Sequence, residues 1–130
     1  MTEERAVVLD ASAILAVLYG EPGEEEIREW MRASRVVVGT VNLAEVAGKL
    51  AEGGLDEKEI REAVDVLSLE VLPLDADAAY GAGMLKVGTR ERGMGVGDLS
   101  CVAVARGIGG VALTTDGTWS GLDGVEVVRR

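Results

Sequence analysis

Histidine is absent from all 130 residues. That gap removes Ser-His-Asp hydrolysis, histidine-based ribonuclease chemistry and HExxH zinc sites together, because each needs an imidazole as acid, base or ligand. Catalysis, if present, falls to carboxylates, Lys, Tyr, Ser, Thr or a hard metal. Cysteine is nearly absent. The lone Cys101 excludes an internal disulfide and any CxxC metal site, and its setting, SCVAVA, reads as core. Glutamine is missing and Asn42 is the only asparagine. Scarce amides fit a heat-adapted source, while the excess of Arg over Lys equally reflects genome composition. The longest apolar run, around residues 11–19, is too short to span a bilayer. The first residues, MTEERAVV, open acidic, unlike a signal peptide, so a cytoplasmic protein with no membrane association is expected. Positive charge is also short: 13 Lys and Arg stand against 23 Asp and Glu, for a net charge of −10. Such a balance opposes direct phosphate binding, and nucleic-acid chemistry would need bound cations.

The remaining composition, 48% hydrophobic and 28% charged, is that of an ordinary globular chain. Its length suits one domain, residues 1–130, with one real core. Residues 7–9 read as a short buried strand and residues 11–19 as a helix, being too long and too poor in β-branching for a strand. Gly20, Pro22 and Gly23 break it. In EEEIREWMRA, Ile27, Trp30 and Met31 recur at helical spacing, behind three glutamates that suit a helix N-terminus. RVVVGT is a second strand. The helix in VNLAEVAGKLAEGG puts Leu43, Val46, Ala47 and Leu50 on one stripe. DEKEIREAVDVLSL begins at a plausible Asp56 cap with an Asp-x-x-Glu pattern. EVLPL is a third strand, residues 75–86 a small-residue helix, GTRERGMGVG a mobile loop by composition, and residues 99–106 a helix buried nearly all round. GVALTT and VEVV complete five strands. Strands alternating with helices, and apolar without clean alternation, predict an α/β fold with a mainly parallel sheet covered on both faces.

Most acids fall on polar helix faces, but Asp10, Asp98 and Asp116 follow strands or open an apolar helix, and Glu45 lies in the helix after the second strand. Strands of a parallel sheet end at one edge, so segments just beyond them can converge. Each acid has a plainer reading. Asp10 and Asp98 also suit helix caps, and Asp116 suits a turn. Glu45 lies away from its helix's apolar stripe, on the side of Asn42, where solvation is the default. Together they make a different case. Two unit charges ~4 Å apart cost about 4 kcal/mol at an effective dielectric near 20, and protons or cations must relieve that. Oxygen-only ligands select hard ions such as Mg²⁺ or Mn²⁺, which can activate water and bridge an acidic protein to an anionic substrate.

The segments VVLDASAILAVL, VNLAEVAGKL, GVGDLSCVAVA and ALTTDGTW resemble, in order and over essentially the whole chain, those of PIN domains, in particular the VapC-type ribonuclease toxins. The resemblance implies a three-layer α/β/α fold with a five-stranded, mainly parallel sheet. It implies a metal site of Asp10, Glu45, Asp98 and Asp116, with Ser12, Asn42 and Thr114 as supporting polar groups. It further implies Mg²⁺- or Mn²⁺-dependent cleavage of RNA, a homodimer and a VapB-like antitoxin partner. Such toxins often carry a basic residue where this chain has Leu99. Lys86, Arg90 and Arg92 are the nearest basic cluster upstream of Asp98 and are candidate RNA phosphate contacts; a solvated loop is the plainer reading. The expected dimer surface includes Trp30 and Met31, or the helix over residues 57–67. Rival readings are a PIN-fold RNA-processing nuclease or scaffold without an antitoxin, and a receiver-like Mg²⁺-binding signalling domain. The latter wants an acidic pair after the first strand and a late Lys, both missing here. A haloacid dehalogenase-type phosphatase wants a second Asp where Ser12 stands.

Overall fold

The computed structural model describes residues 5–129. Strand β1 (Ala6–Leu9) leads into helices α1 (Ala11–Tyr19) and α2 (Glu24–Ala33). Strand β2 (Arg35–Gly39) is followed by α3 (Thr40–Glu52) and α4 (Glu57–Asp65). Strand β3 (Glu70–Leu72) is followed by α5 (Ala76–Thr89), a 3₁₀ turn (Arg90–Arg92) and α6 (Val96–Gly107). Strand β4 (Val111–Thr114) passes through a second 3₁₀ turn (Gly117–Trp119) to β5 (Val125–Val127).

The five strands form one sheet in the order β3-β2-β1-β4-β5. Every pairing is parallel, with Val8 opposite Val37 on one side and Ala112 on the other. The period-two alternation of strands divides the core. Val7, Leu9, Val38 and Leu113 pack under α1 to α4 through Ile14, Ile27, Val46, Leu50 and Ile60. Val8, Val37 and Ala112 pack on the opposite face against Ala82 of α5, Leu99 and Val102 of α6, and Trp119. The result is the expected three-layer α/β architecture, with apolar residues on both faces of each central strand. Among the described residues no helix is long and apolar enough to cross a membrane.

Local chemistry sets the boundaries. Gly20 closes α1 at φ 67°, a left-handed conformation that glycine adopts without strain, and its N–H donates to the carbonyl of Ala16. Asp56 caps α4 in a reciprocal box with Glu59. Helix α6 is buried at every residue from Leu99 to Ala105, and the small residues Ser100, Cys101, Ala103 and Ala105 let the sheet and α5 approach it. Gly110 is required by closeness: a Cβ there would lie 2.7 Å from the carbonyl oxygen of Ala6.

One sequence expectation changes. The Gly-rich stretch before α6 is not a loose loop. Helix α5 runs on to Thr89, whose hydroxyl donates to the Leu85 carbonyl (2.8 Å), and Met94 is buried in the second core. Local composition signals a break, but an internal hydrogen bond and burial of Met94 override it. In the segments expected at a dimer surface, Val66 is strongly exposed and the other apolar side chains are partly or fully covered. Trp30, Met31, Val64 and Leu67 pack against the first core and Ile60 is buried within it, whereas Tyr80, Met84 and Val87 form an exposed apolar stripe on α5.

Candidate active site

The chain runs outward from β1 through β2 to β3, then returns to the other side of β1 at β4. A parallel sheet opens a crevice at such a reversal, beyond the carboxyl ends of the strands. Asp10 stands there, one residue past β1. It caps α1 and is almost fully buried, at 4% exposure. One carboxylate oxygen accepts from the Ser12 hydroxyl (2.7 Å) and the Ala13 N–H (2.8 Å); the other accepts from the Thr114 hydroxyl at the end of β4 (2.5 Å). Ser12 Oγ in turn accepts the Thr115 N–H (3.1 Å), and Thr114 Oγ1 accepts the Asp116 N–H (3.0 Å). Asp10 therefore caps a helix and also ties β1 to β4.

The other acids arrive from three further segments. Asp98 is the third residue of α6, not its cap, and its carboxylate accepts the Gly95 N–H (3.1 Å). Asp116 accepts from both the N–H (2.9 Å) and hydroxyl (2.8 Å) of Thr118, which is the turn role its sequence suggested. Glu45 does not simply point into solvent. Buried Asn42 donates to it (2.8 Å) and also donates to the Gly97 carbonyl (3.2 Å), so α3 is fastened to the start of α6. Asp10, Glu45, Asp98 and Asp116 all line one cleft of about 330 Å³.

Sequence reasoning missed other members of this cleft. Tyr19, Glu21 and Lys49 also line it. Lys49 follows Glu45 by four residues on α3, which placed it on the same helix face; Tyr19 and Glu21 had no comparable signal. Leu99 is buried in the second core and faces away. Lys86, Arg90 and Arg92 do not line the cleft. Arg92 is committed elsewhere: its guanidinium donates to the carbonyls of Thr118 (2.8 Å) and Ser120 (2.7 Å), bracing the turn that Asp116 begins.

The acids influence one another. Burial, above all, pushes the Asp10 carboxyl up to about 6, against the hydrogen bonds from Thr114, Ala13 and Ser12, with Asp98 adding to the rise. Burial raises Glu45 and Asp98 as well, with further upward pressure on Glu45 from Asp98 and on Asp98 from Asp116. Among the described residues no three acids converge on a common point; they ring the cleft walls instead. The donors are nonetheless all oxygens, and they repel across a short span. A hard divalent ion fits both properties, by ligand type and by charge.

Asp10 carries a pH signature. Its folded-state value lies above that of an unfolded chain, so the folded protein holds the proton longer. Stability from this group is full at low pH and lost as pH rises from about 4 through about 6, by roughly 3 kcal/mol in total. Asp10→Asn removes the titration. Without divalent ions, the melting temperature of Asp10→Asn relative to wild type should therefore climb between pH 4 and pH 7. A gap that stays constant across that range would show that burial does not perturb this carboxyl.

The PIN-domain family model matches residues 7–125, and the chain belongs to the PIN domain family. Its fold is shared with VapC20 of Mycobacterium tuberculosis, a sarcin-ricin loop cleaving toxin. The two are 22% identical, with 94% of this chain and 98% of that one covered and a TM-score of 0.72. It is also similar to VapBC2 of Rickettsia felis, solved on a promoter DNA fragment (14% identity, 96% and 98% covered, TM-score 0.74). VapBC-5, a toxin–antitoxin system member from Mycobacterium tuberculosis, is 28% identical over 97% of this chain and 99% of that one, with a TM-score of 0.58. No curated protein sequence matches it.

Proposed function

We propose that this PIN domain is a metal-dependent endoribonuclease and the toxin of a VapBC-type pair, acting in the cytoplasm. The observation that carries the reading is the gathering of Asp10, Glu45, Asp98 and Asp116 around one cleft at the reversal point of the sheet. These four carboxylates would hold the ion, Mg²⁺ or Mn²⁺. When bound, that ion makes water nucleophilic near neutral pH and offsets charge on the phosphodiester. The chain's own part is to fix the ligands. Ser12, Thr114 and the Ala13 N–H hold both oxygens of Asp10, leaving one lone-pair direction, on the oxygen that Thr114 holds, for a ligand. Asn42 aims Glu45, and the Gly95 N–H aims Asp98. With no histidine in the chain, no imidazole takes part as base. Attack by water would leave 5′-phosphate and 3′-hydroxyl ends.

The partner reading is supported by the VapBC complexes among similar structures, DNA-bound VapBC2 included. A VapB-like antitoxin would cover the cleft, and a homodimer would join through the exposed stripe of Tyr80, Met84 and Val87 on α5. The decisive assay uses RNA labelled at its 5′ or 3′ end. Cleavage should stop with a chelator, return with Mg²⁺ or Mn²⁺, and leave 5′-phosphates. Equal cleavage in excess chelator would overturn the metal mechanism.

A further inference from the structure

We propose that Tyr19 and Lys49 form a subsite for an unpaired nucleotide of the substrate, the tyrosine stacking on its base and the lysine contacting its phosphate. The inference rests on the nuclease reading and names the kind of RNA that the cleft takes.

Helices α1 and α3 both leave the carboxyl edge of the sheet and pack side by side. Their first two turns carry the chemistry, Asp10 and Ser12 on one and Asn42 and Glu45 on the other, with Lys49 one turn beyond Glu45. Their far ends carry Tyr19, the last residue of α1, and Lys49, in the last turn of α3. At ~1.5 Å per residue, both lie about 12–13 Å along their helices from the sheet edge. The same cleft reaches from the acids to both of them. Along the groove between two helices it therefore adds an aromatic and a cation to the four acids, with Glu21 also in its lining.

The residue types at that far end are distinctive in this chain. Of its four aromatic side chains, Trp119 is fully buried, Trp30 packs on the first core and Tyr80 stands on α5. Tyr19 alone lines the cleft, and the residue is 55% exposed. Among the described residues, Lys49 is the one basic side chain that lines the cleft. An exposed aromatic and a cation in one cleft are the equipment for holding single-stranded nucleic acid: every base offers a π-face, and the neighbouring phosphate takes the ammonium. A base stacked in a duplex cannot offer its face, so the subsite selects loops, bulges and ends.

The test measures kcat and KM with Mg²⁺ on a single-stranded RNA and on the same sequence fully paired. Tyr19→Leu should raise KM for the single strand about tenfold with kcat little changed, while Tyr19→Phe, which keeps the ring, should match wild type. Lys49→Met should flatten the salt dependence of binding, lowering the log–log slope by about 0.7. Paired RNA should be cleaved poorly by wild type and be insensitive to either change. Binding of a labelled oligonucleotide to the Asp98→Asn background should give the same ranking without turnover. If wild type cleaves but Tyr19→Leu and Lys49→Met keep its KM and salt slope, the subsite is wrong and the nuclease reading stands. If Tyr19→Phe is as impaired as Tyr19→Leu, the hydroxyl acts and stacking is wrong. If wild type cleaves no RNA with either ion, the nuclease reading fails and the subsite with it.

Discussion

Asp98→Asn should leave the fold intact and lower RNA cleavage by on the order of 10²–10³-fold, the loss of several kcal/mol of charge stabilisation. The substitution is mild where Asp98 meets the backbone. Its carboxylate accepts only the Gly95 N–H among the described contacts, and an asparagine oxygen can accept the same bond. A purely structural Asp98 would thus tolerate the change within a few tenths of a kcal/mol and keep full activity. The electrostatic setting predicts otherwise. Burial and the nearby Asp116 both disfavour the charged form of Asp98, and Asp98 in turn disfavours charge on Asp10 and Glu45. Removing its charge relieves all three, so metal-free stability should hold or rise. Stabilisation by added Mg²⁺ should shrink, because an ion that binds only the folded state stabilises by mass action. Melting curves with and without Mg²⁺, beside cleavage rates, separate the two roles. A variant with wild-type cleavage and a wild-type response to Mg²⁺ would return Asp98 to a helix-start role.

Gly97→Ala should have the next largest effect, without touching a charged residue. A Cβ at Gly97 would fall 2.3 Å from one carboxylate oxygen of Glu45 and 2.8 Å from the other. One of the two must move, and the free end of a flexible side chain yields more readily than a backbone bonded to Asn42. The alanine also favours helix in the first turn of α6. Melting temperature should therefore stay level or increase slightly. Cleavage should drop by about 10²-fold, the usual scale for a displacement near 1 Å at a reacting centre. Adding Glu45→Asp, whose shorter side chain clears the new methyl group, should restore part of the loss. Unchanged activity in Gly97→Ala would mean that the position of Glu45 does not matter for the chemistry.

Gly97 and Glu45 also show where reading the chain by itself runs short. Strands and helices were legible because each is written locally: apolar runs such as VVL and VALT, stripes such as Leu43, Val46 and Leu50, and punctuation by Gly20 and Asp56. Asp10 stood out because a charge between two apolar segments has few plain explanations. Glu45 had no such mark. Its helical angle points off the apolar stripe, and only the packing of α3 on α6 brings Asn42 and Gly97 to it. Arg92 was obscured for the same reason. Its partners lie 26 and 28 residues away, so the sequence shows only a basic loop, open to RNA or to solvent, while the structure ties Arg92 to the backbone beside Asp116. Tyr19 closes a helix and would pass for an ordinary exposed end without the neighbouring α3.

The bond from Thr114 to Asp10 joins residues 104 positions apart, and β4 pairs directly with β1 at the centre of the sheet. Nothing nearer in the chain can substitute for that strand. During synthesis the first three strands and all six α-helices emerge while the central strand still lacks one neighbour and the first acid lacks one of its donors. Pairing across such a separation is also intrinsically slow. A nascent copy, or one truncated before β4, therefore has no assembled centre. Catalytic competence arrives only after β4 has left the ribosome, and that delay is a property of strand order alone.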